Sequence, residues 1–297
     1  MRIFFYMPDS AVRSPKAEPT EIKLKRSCAS PADELYVSFE TDIGLFAETP
    51  TFVRAEHGGR VVFDGIVDEH KVKRQSGVRT ESFSCRSRAA LLEDNEAMPG
   101  VLQMPSLRLL ERLYLKPFGL KGGGGDNSPQ RGRMVVETGT SCWEVLCRFS
   151  KRFLGCTPRC MPDGTVSFAI DNAKKLTLPE PLSLTVTDGQ SKLISHVIMQ
   201  SAATGAYNTV YESGSRIPRV RYVSSASGIT PKEVFSEGLQ ATLSAEAVLD
   251  GFTDAVPGDL ASLESFDGRC ERMRISSVSY TFENGRIETR MLFEADR

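Results

Sequence analysis

The residues in this sequence best suited to chemistry are four cysteines that lie close together in the chain. Four residues separate Cys142 from Cys147, and three separate Cys156 from Cys160. Four thiolates can hold a zinc ion, but such sites usually place two residues between paired cysteines. On a helix, the thiols of Cys142 and Cys147 would point about 140° apart at ~100° per residue. The spacing therefore favours packing as small apolar side chains, and metal analysis would decide between the two.

The three histidines, His57, His70 and His196, are the candidates for a general base near neutral pH. An esterase of the α/β-hydrolase type would carry its nucleophile in a Gly-x-Ser-x-Gly turn, a pattern that this sequence lacks. Without a nucleophile at a recognisable spacing, we expect each histidine to lie on the surface or at a strand edge.

Paired acidic residues are what a cell-wall hydrolase would need, because glycoside hydrolysis uses two carboxyl groups with different roles. The candidates are Asp68–Glu69, Glu93–Asp94, and Asp254 with Asp259. None has the apolar, aromatic flanks that would raise one pKa and leave the other low. We interpret all of them as solvated strand ends and turns.

Anion binding is not predicted either. The glycine run at 122–125 lacks the Lys-Ser/Thr pair of a phosphate loop, and Pro257-Gly258-Asp259 is typical of a turn. From Val101 to Cys160 the chain carries ten Lys or Arg against four Asp or Glu, but no interleaved aromatic platform for nucleic acid. We interpret the arginines of this basic segment as a solvated or protein-facing surface: Arg108, Arg112, Arg131, Arg133, Arg148 and Arg159. The sequence thus predicts no catalytic residue, cofactor or metal, and no enzyme.

The composition is that of an ordinary folded protein, with 297 residues, 40% of them hydrophobic, 25% charged, and a formal net charge of -1. Its length predicts two or three domains, and its charge gives no global attraction to nucleic acid or membrane. The segment from Gln240 to Arg297 is acidic, with eleven Asp or Glu against six Arg. Because MRIFFYMPDS is soon broken by Pro8 and no apolar run approaches ~18 residues, we expect no leader, no membrane span, and reduced thiols.

The chain up to about residue 90 is predicted to be β-structure. ELYVSFETD alternates Leu35, Val37 and Phe39 with polar residues, which is the period of a half-buried strand. RVVFDGIV and TESFSCRS are predicted to be further strands. The short polar segment QSGVR between them favours a hairpin turn.

The stretch VVFDGIVDEHKVK, Val61 to Lys73, sets an apolar strand against an abrupt charged run. A lone glycine inside a strand indicates a bulge or the close approach of a neighbouring backbone, so Gly65 is predicted to lie where the strand bends past its neighbour. Asp64 and the charges from Asp68 to Lys73 are predicted to face water.

The middle of the chain predicts two main helices. AALLED is a helical turn, and PSLRLLERLYLKPFG is an amphipathic helix that ends at Pro117 and Gly119. The glycine-rich segment 121–133 is predicted to be flexible. In TSCWEVLCRFSKRFLG, Ser141 and Glu144 form a capping box, and a hairpin that turns at Pro162-Asp163-Gly164 follows.

From Leu176 onward the chain again predicts β-structure. SLTVTD, KLISHVIMQSAA and YNTVYES are strand candidates, whereas SAEAVLDGF is predicted to be a short helix. RMRISSVSYTF and RIETRMLFEA form a hairpin that turns at Asn284-Gly285. A change of hydrophobic phase at Ser276-Ser277 predicts a β-bulge, which bends strands into barrels.

Taken together, several stretches resemble the baseplate hub proteins of tailed phages, the late-control protein D family and its relatives in Mu-like phages. They are VFDGIV through AALLED, the Trp-bearing helix with its Asp-Gly hairpin in TSCWEVLCRFSKRFLGC and PDGTVSF, and VPGDLASL with the terminal strand pair. The resemblance spans nearly the whole chain and rests on the order of these motifs.

The resemblance implies a mainly β fold, in which two tail-tube-like β-barrel domains, residues 1–92 and 179–297, flank a small α/β insert at 93–178. It implies a homotrimer whose six barrels form a ring that joins a hexameric tail tube to a trimeric spike, with a tape-measure protein as a further partner. Such a protein belongs to the virion at the tail tip and is assembled in the host cytoplasm without membrane insertion. DNA would pass through its lumen without specific binding. The alternatives are a tail-associated peptidoglycan hydrolase and a sixfold distal-tail adaptor protein.

Overall fold

In the computed structural model the described residues are 1–169, 173–240, 242–263, 265–268, 270–283 and 285–296. They divide into two units that interleave along the chain. Unit 1 comprises Met1–Lys174, Asp250–Gly258 and Ser277–Thr289, and unit 2 comprises Lys175–Leu249, Asp259–Ser276 and Arg290–Arg297. Within the described residues, no helix has both the length and the apolar character needed to cross a membrane.

Unit 1 starts with β-structure, as the sequence predicts, and the three predicted strands are among the seven present. They are β1 (Arg2–Tyr6), β2 (Val12–Arg13), β3 (Pro19–Ser27), β4 (Glu34–Glu40), β5 (Phe52–His57), β6 (Arg60–Gln75) and β7 (Val78–Ser87).

The next segment of unit 1 mixes helices with short strands. Its elements are α1 (Ala90–Asp94), β8 (Gly100–Gln103), α2 (Leu107–Leu110) continued by a π-helical turn (Glu111–Leu115) and a 3₁₀ turn (Lys116–Phe118), β9 (Lys121–Gly123), β10 (Arg133–Val136), α3 (Cys142–Phe149) continued by a second π-helical turn (Ser150–Leu154), β11 (Arg159–Cys160) and β12 (Thr165–Ser167).

The remaining elements lie in unit 2, except that the last strands run through both units. They are β13 (Lys175–Leu176), β14 (Ser183–Asp188), β15 (His196–Gln200), β16 (Tyr207–Glu212), β17 (Val220–Val223), a 3₁₀ turn (Ser225–Ser227), α4 (Pro231–Gln240), β18 (Leu243–Asp250), β19 (Leu260–Ala261), β20 (Met273–Glu283) and β21 (Arg286–Ala295).

The main sheet of unit 1 is antiparallel and has the strand order β20–β3–β4–β7–β6–β5–β1–β2. Phe5, Phe39 and Phe83 are buried on one of its faces and contact one another at centroid distances of 4.6–6.4 Å. The predicted hairpin turn joins β6 to β7 through Ser76 and Gly77, whose φ angles are 51° and 83°. Positive φ at both central residues gives the turn the twist that a tight hairpin requires.

The α/β segment of unit 1 has its own apolar core, in which Leu110, Leu146 and Phe149 are fully buried. The predicted capping box is present at α3. The Ser141 hydroxyl oxygen accepts the Glu144 N–H at 3.2 Å, and the Glu144 carboxylate accepts the Ser141 N–H at 2.9 Å. Two orphan N–H groups at the helix start are thereby satisfied.

The glycine-rich segment is less irregular than its sequence predicts, because β9 pairs with β12 in parallel. Beyond β9, a Cβ atom at Gly125 would lie 2.8 Å from Leu107 Cδ2 and 2.9 Å from Phe168 Cβ. Glycine is needed there for close packing, so this part of the run provides contact instead of flexibility.

In unit 2 the strand order is β14–β18–β21–β20, and one sequence prediction is wrong. The segment SAEAVLDGF forms most of strand β18 and not a helix. Ala245, Ala247 and Leu249 are buried in strict alternation with more exposed residues. Alanine favours helices on its own, but here small side chains fit a covered sheet face, and pairing with β14 and β21 overrides the local preference.

Helix α4 is an element that sequence reasoning missed, although its start carries a signal. The Thr230 N–H donates to the Glu233 carboxylate at 2.7 Å, and the Glu233 N–H donates to the Thr230 hydroxyl at 3.3 Å. This is a second capping box, followed directly by Pro231 at the first helical position.

The terminal hairpin is present as predicted. The buried residues of β20 change phase between Ile275 and Val278, at the point where the strand leaves unit 2 and enters unit 1. Gly285 has a φ of 75°, as a tight turn requires, and Asn284 lies outside the described residues.

Candidate functional site

The stretch VVFDGIVDEHKVK forms most of β6, which continues well past its neighbour β5. Strand β5 pairs with β6 only as far as Ile66. Within the described chain, β6 from Glu69 to Gln75 pairs with β7 alone. We call residues 69–80 the arm. The arm carries four basic residues against the single acid Glu69. Lys71, Lys73 and Arg74 are exposed, whereas Arg79 is partly buried and paired with Glu81.

Gly65 is the point of close approach that the sequence predicts. A Cβ atom at this position would overlap the carbonyl oxygen of Arg86 on β7 and lie 2.8 Å from the Phe63 ring. The pairing register shifts on both sides of it, between Ala55 and Glu56 opposite β6 and between Val67 and Glu69 within β6. The bulges therefore flank Gly65, and Gly65 itself is where the backbones come together.

The prediction that Asp64 and His70 face water is wrong. His70 is largely buried. Its Nε2 atom lies 3.1 Å from the carboxylate of Glu81, and its ring stacks on Phe83 at 4.4 Å. Asp64 accepts a hydrogen bond from Arg88 Nε at 2.8 Å. Cross-strand pairing turns both side chains toward partners that are distant in sequence.

Glu81 is a fully buried carboxylate, and its hydrogen-bond partners are two side chains and one backbone N–H group. Besides His70, it accepts from Arg79 Nη2 at 2.6 Å, Arg79 Nε at 2.9 Å and the Leu45 N–H at 3.1 Å. Burial alone raises the pKa of Glu81, but these hydrogen bonds and the charge of Arg79 outweigh burial and leave the pKa below its usual value. These partners keep the carboxylate of Glu81 ionised in a structural role, directly after the arm in the sequence.

The candidate acid pairs are brought to basic partners and not to each other. Asp68 and Asp94 both bind the guanidinium of Arg86, at 2.9 Å each for their shortest contacts. Asp254 pairs with Arg60 at 3.4 Å, and Glu93 accepts from the Ser30 hydroxyl at 3.2 Å. Asp259 is buried. An arginine that bridges two carboxylates holds both by charge-assisted hydrogen bonds, which is the arrangement of a structural ion network.

His196 is the histidine nearest to a nucleophile, because its Nδ1 atom lies 2.8 Å from the hydroxyl of Ser195. Its Nε2 atom lies 3.7 Å from the carboxylate of Glu212. Ser195 is 1% exposed, and its hydroxyl both accepts the Arg219 N–H at 2.7 Å and lies 2.9 Å from the Arg219 carbonyl oxygen. A hydroxyl so enclosed ties the two chain segments together and presents no nucleophile to a substrate.

His57 contacts an aromatic ring, and six of the seven cysteines are buried or partly buried, with Cys28 exposed. The His57 ring contacts Phe252 at 4.8 Å, and burial lowers its pKa. None of the seven cysteines forms a disulfide. Burial raises the pKa of Cys147 to about 11 and those of Cys142, Cys156 and Cys160 above their usual range, which disfavours the thiolate form that binds metal. Among the residues described, no three His, Cys, Asp or Glu side chains are grouped so as to hold a metal ion.

Five arginines of the basic segment, Arg108, Arg112, Arg131, Arg133 and Arg148, are exposed. Arg159 differs, because its guanidinium donates to the Pro257 carbonyl oxygen at 2.6 Å. It lies against the predicted Pro-Gly-Asp turn, where Gly258 has a φ of 93° and a Cβ atom would lie 2.7 Å from Arg159 Nε. The turn thus needs glycine for two independent reasons.

No family model and no curated protein matches the sequence, but solved structures match the fold over its whole length. The 43 kDa tail protein of prophage MuSo2 from Shewanella oneidensis aligns with a TM-score of 0.77 and 17% identity, covering 99% of this chain and 97% of that one. The chain has the fold of phage tail proteins.

Two further structures share the fold. A tail protein from Neisseria meningitidis MC58 aligns with a TM-score of 0.74 and 16% identity, covering 99% of this chain and 96% of that one. A type VI secretion component from Escherichia coli, described as similar to the bacteriophage T4 tail proteins gp27 and gp5, aligns with a TM-score of 0.60 and 10% identity. It covers 95% of this chain and 75% of its own.

These matches confirm the predicted resemblance to phage tail proteins at the level of the fold, and they confirm the mainly β class. Gly65 and Gly258 allow close contacts, and Glu81 and Arg86 anchor ion networks. Exposed basic side chains lie on the arm and on the basic segment.

Proposed function

We propose that this chain is the structural hub of a phage tail tip or of a phage-derived injection machine. Three copies form a ring that joins the hexameric tail tube to the trimeric spike, and DNA passes through the ring without specific binding. The observation that carries the proposal is the end-to-end match to a prophage tail protein, 99% of this chain on 97% of that one.

Two further observations support the proposal. The fold is also shared by a type VI secretion component, which suits a part common to injection machines. Most of the candidate acids and bases are engaged in hydrogen bonds or ion pairs, as His70 is with Glu81 and as Asp68 and Asp94 are with Arg86. A structural role in the tail therefore fits this chain better than peptidoglycan hydrolysis does.

We propose that the chain comprises a first β-barrel domain at residues 1–92, an α/β insert at 93–178 and a second β-barrel domain at 179–297. The insert is supported by its apolar core, whose members run from Leu92 to Phe168. The two barrels of each of three copies would give six similar elements, which is how a trimer can face a hexameric tube.

The oligomeric state of the purified full chain tests this proposal. One chain has a mass of 32.7 kDa, so a trimer has three times that mass, about 98 kDa. Sedimentation equilibrium up to tens of micromolar should give that value, and negative-stain electron microscopy should show threefold rings. A strict monomer would contradict the trimer. A sixfold ring would support a distal-tail adaptor instead, and clearing of cell-wall substrate in a zymogram would support a hydrolase.

A further inference from the structure

A small sheet in unit 2, made of β16, β15 and β17, is covered on one face only. Strand β15 lies in the centre, antiparallel to β16 and parallel to β17. Val197, Met199 and Val223 on one face pack with Val234 and Phe235 of α4. This face therefore has the apolar partner that a sheet needs.

The other face is bare within the described part of the chain, and it carries an apolar patch beside His196 and Glu212. The register places Ile198 opposite both Val210 and Tyr222, so these three side chains lie side by side on the face away from α4. Val210 is 53% exposed and Tyr222 66%, and Tyr222 contacts Tyr207 edge-on at 5.5 Å. An exposed patch of aliphatic and aromatic side chains is typical of a surface that another protein covers.

Strand β16 also leaves its outer backbone edge open. The Ser213 N–H donates to the Ser195 carbonyl oxygen at 3.0 Å, which fixes the alternation of hydrogen bonds along the antiparallel pair. Tyr211 and Thr209 therefore direct their N–H and C=O groups toward β15. Val210 and Glu212 direct theirs outward, and every residue of β16 is exposed. Such an edge is a template for one more strand.

Strand β17 forms the opposite edge of the same sheet and complements β16. The single charged residue of β16 is Glu212, and that of β17 is Arg221. The β17 residues Val220 and Tyr222 lie on the bare face, as Val210 does. If β17 were added to β16 with these faces aligned, the exposed apolar side chains would become continuous across the seam, and Glu212 and Arg221 would lie on opposite faces of the sheet.

We propose that β16 of one copy of this chain pairs with β17 of a second copy. Two different edges on opposite sides of one sheet make a head-to-tail contact, and such contacts close into a ring under rotational symmetry. In a ring whose axis runs along the strands, β17 of the next copy is antiparallel to β16. The inference rests on the proposed trimer and names a surface that holds it together.

Variants of the full chain test the inference. Val210→Pro removes the outward N–H without removing a hydrogen bond to β15, and Tyr222→Lys places a charge on the bare face. Val135→Lys is the matched control, because Val135 is a strand valine in unit 1 with 51% exposure. Sedimentation equilibrium should show self-association about tenfold weaker or more for the two test variants and unchanged for the control. Circular dichroism checks that each variant is folded.

Hydrogen exchange of the wild-type chain keeps the test decisive if Val210→Pro does not fold. The Val210 amide should exchange at least about tenfold more slowly in the assembly than after dilution to the monomer. A trimer that forms equally well in Tyr222→Lys and leaves the Val210 amide unprotected overturns the inference and leaves the proposed hub intact. A wild-type chain that stays monomeric overturns both. Protection of Val210 only when a different tail protein is added also overturns it.

Discussion

Gly65 lies against the carbonyl oxygen of Arg86, so closely that a Cβ atom at position 65 would overlap that oxygen. The two residues belong to neighbouring strands, with Gly65 opposite Ser87 in the register. Bulges on either side of Gly65 twist β6, and the absence of a side chain lets it pass β7 at this distance. The contact is backbone against backbone, so a side-chain movement on β7 cannot relieve it.

Gly65→Val is expected to prevent stable folding. The added side chain would meet both the Arg86 carbonyl and the Phe63 ring, and we expect a loss of at least about 3 kcal/mol in the free energy of unfolding. Soluble yield and thermal unfolding followed by circular dichroism measure this. Gly268→Val is the control, because Gly268 has open space within 4 Å. Equal stability of the two variants would show that the strands do not approach as described.

Gly258→Ala is expected to cost more than the same change at Gly139. Both glycines have positive φ, 93° and 81°, so both alanines carry backbone strain of about 1 kcal/mol. Only at Gly258 would the Cβ atom also displace Arg159, which donates to Pro257. Urea unfolding should therefore show a further loss of about 1 kcal/mol at Gly258. If the two variants lose the same free energy, the contact with Arg159 contributes nothing.

Glu81 is expected to make the stability of unit 1 depend on acid pH. Its pKa is below the usual 4.5 in the folded chain, so its stabilising contribution is fully present above about pH 4.5 and is lost as the pH falls through the folded pKa. Unfolding free energies of wild type and Glu81→Gln should therefore converge as the pH is lowered from 7 to 3. A constant difference across this range would show that Glu81 does not titrate in the expected way.

The cysteines are expected to react in order of exposure and to bind no stoichiometric zinc. Cys28 is exposed, whereas burial raises the pKa of the Cys147 thiol to about 11. At pH 8 a thiol reagent should therefore modify Cys28 first, and modify all seven only after unfolding in guanidinium. Metal analysis of the purified chain is the second readout. One equivalent of zinc would reverse the interpretation of Cys142, Cys147, Cys156 and Cys160.

The features that the sequence predicted well are those encoded within a few residues. The capping box of Ser141 and Glu144, the turn at Ser76-Gly77 and the alternation in β4 are all present. Each depends on residues that are neighbours along the chain, so the pattern and the contact coincide. The signal at Thr230-x-x-Glu233 was of the same kind and was available for helix α4.

Sequence patterns failed where partners distant in sequence decide the environment. Strand β18 has alanines that favour a helix, but β14 and β21 on its two sides hold it extended. His70 lies in a charged run, yet Phe83 and Glu81 on the opposite strand turn it inward. The Ser195 hydroxyl is enclosed by Arg219, 24 residues away.

The sequence by itself determined the mainly β class, the positions of most turns and the need for glycine at position 65, because period, turn chemistry and a lone strand glycine are local signals. Only the tertiary structure decided which backbone Gly65 approaches, which edge of β16 is left unpaired within the described residues, and which carboxylates bind Arg86. Those outcomes depend on strand order and register, which are set by the burial of whole faces against one another and not by any single stretch of residues.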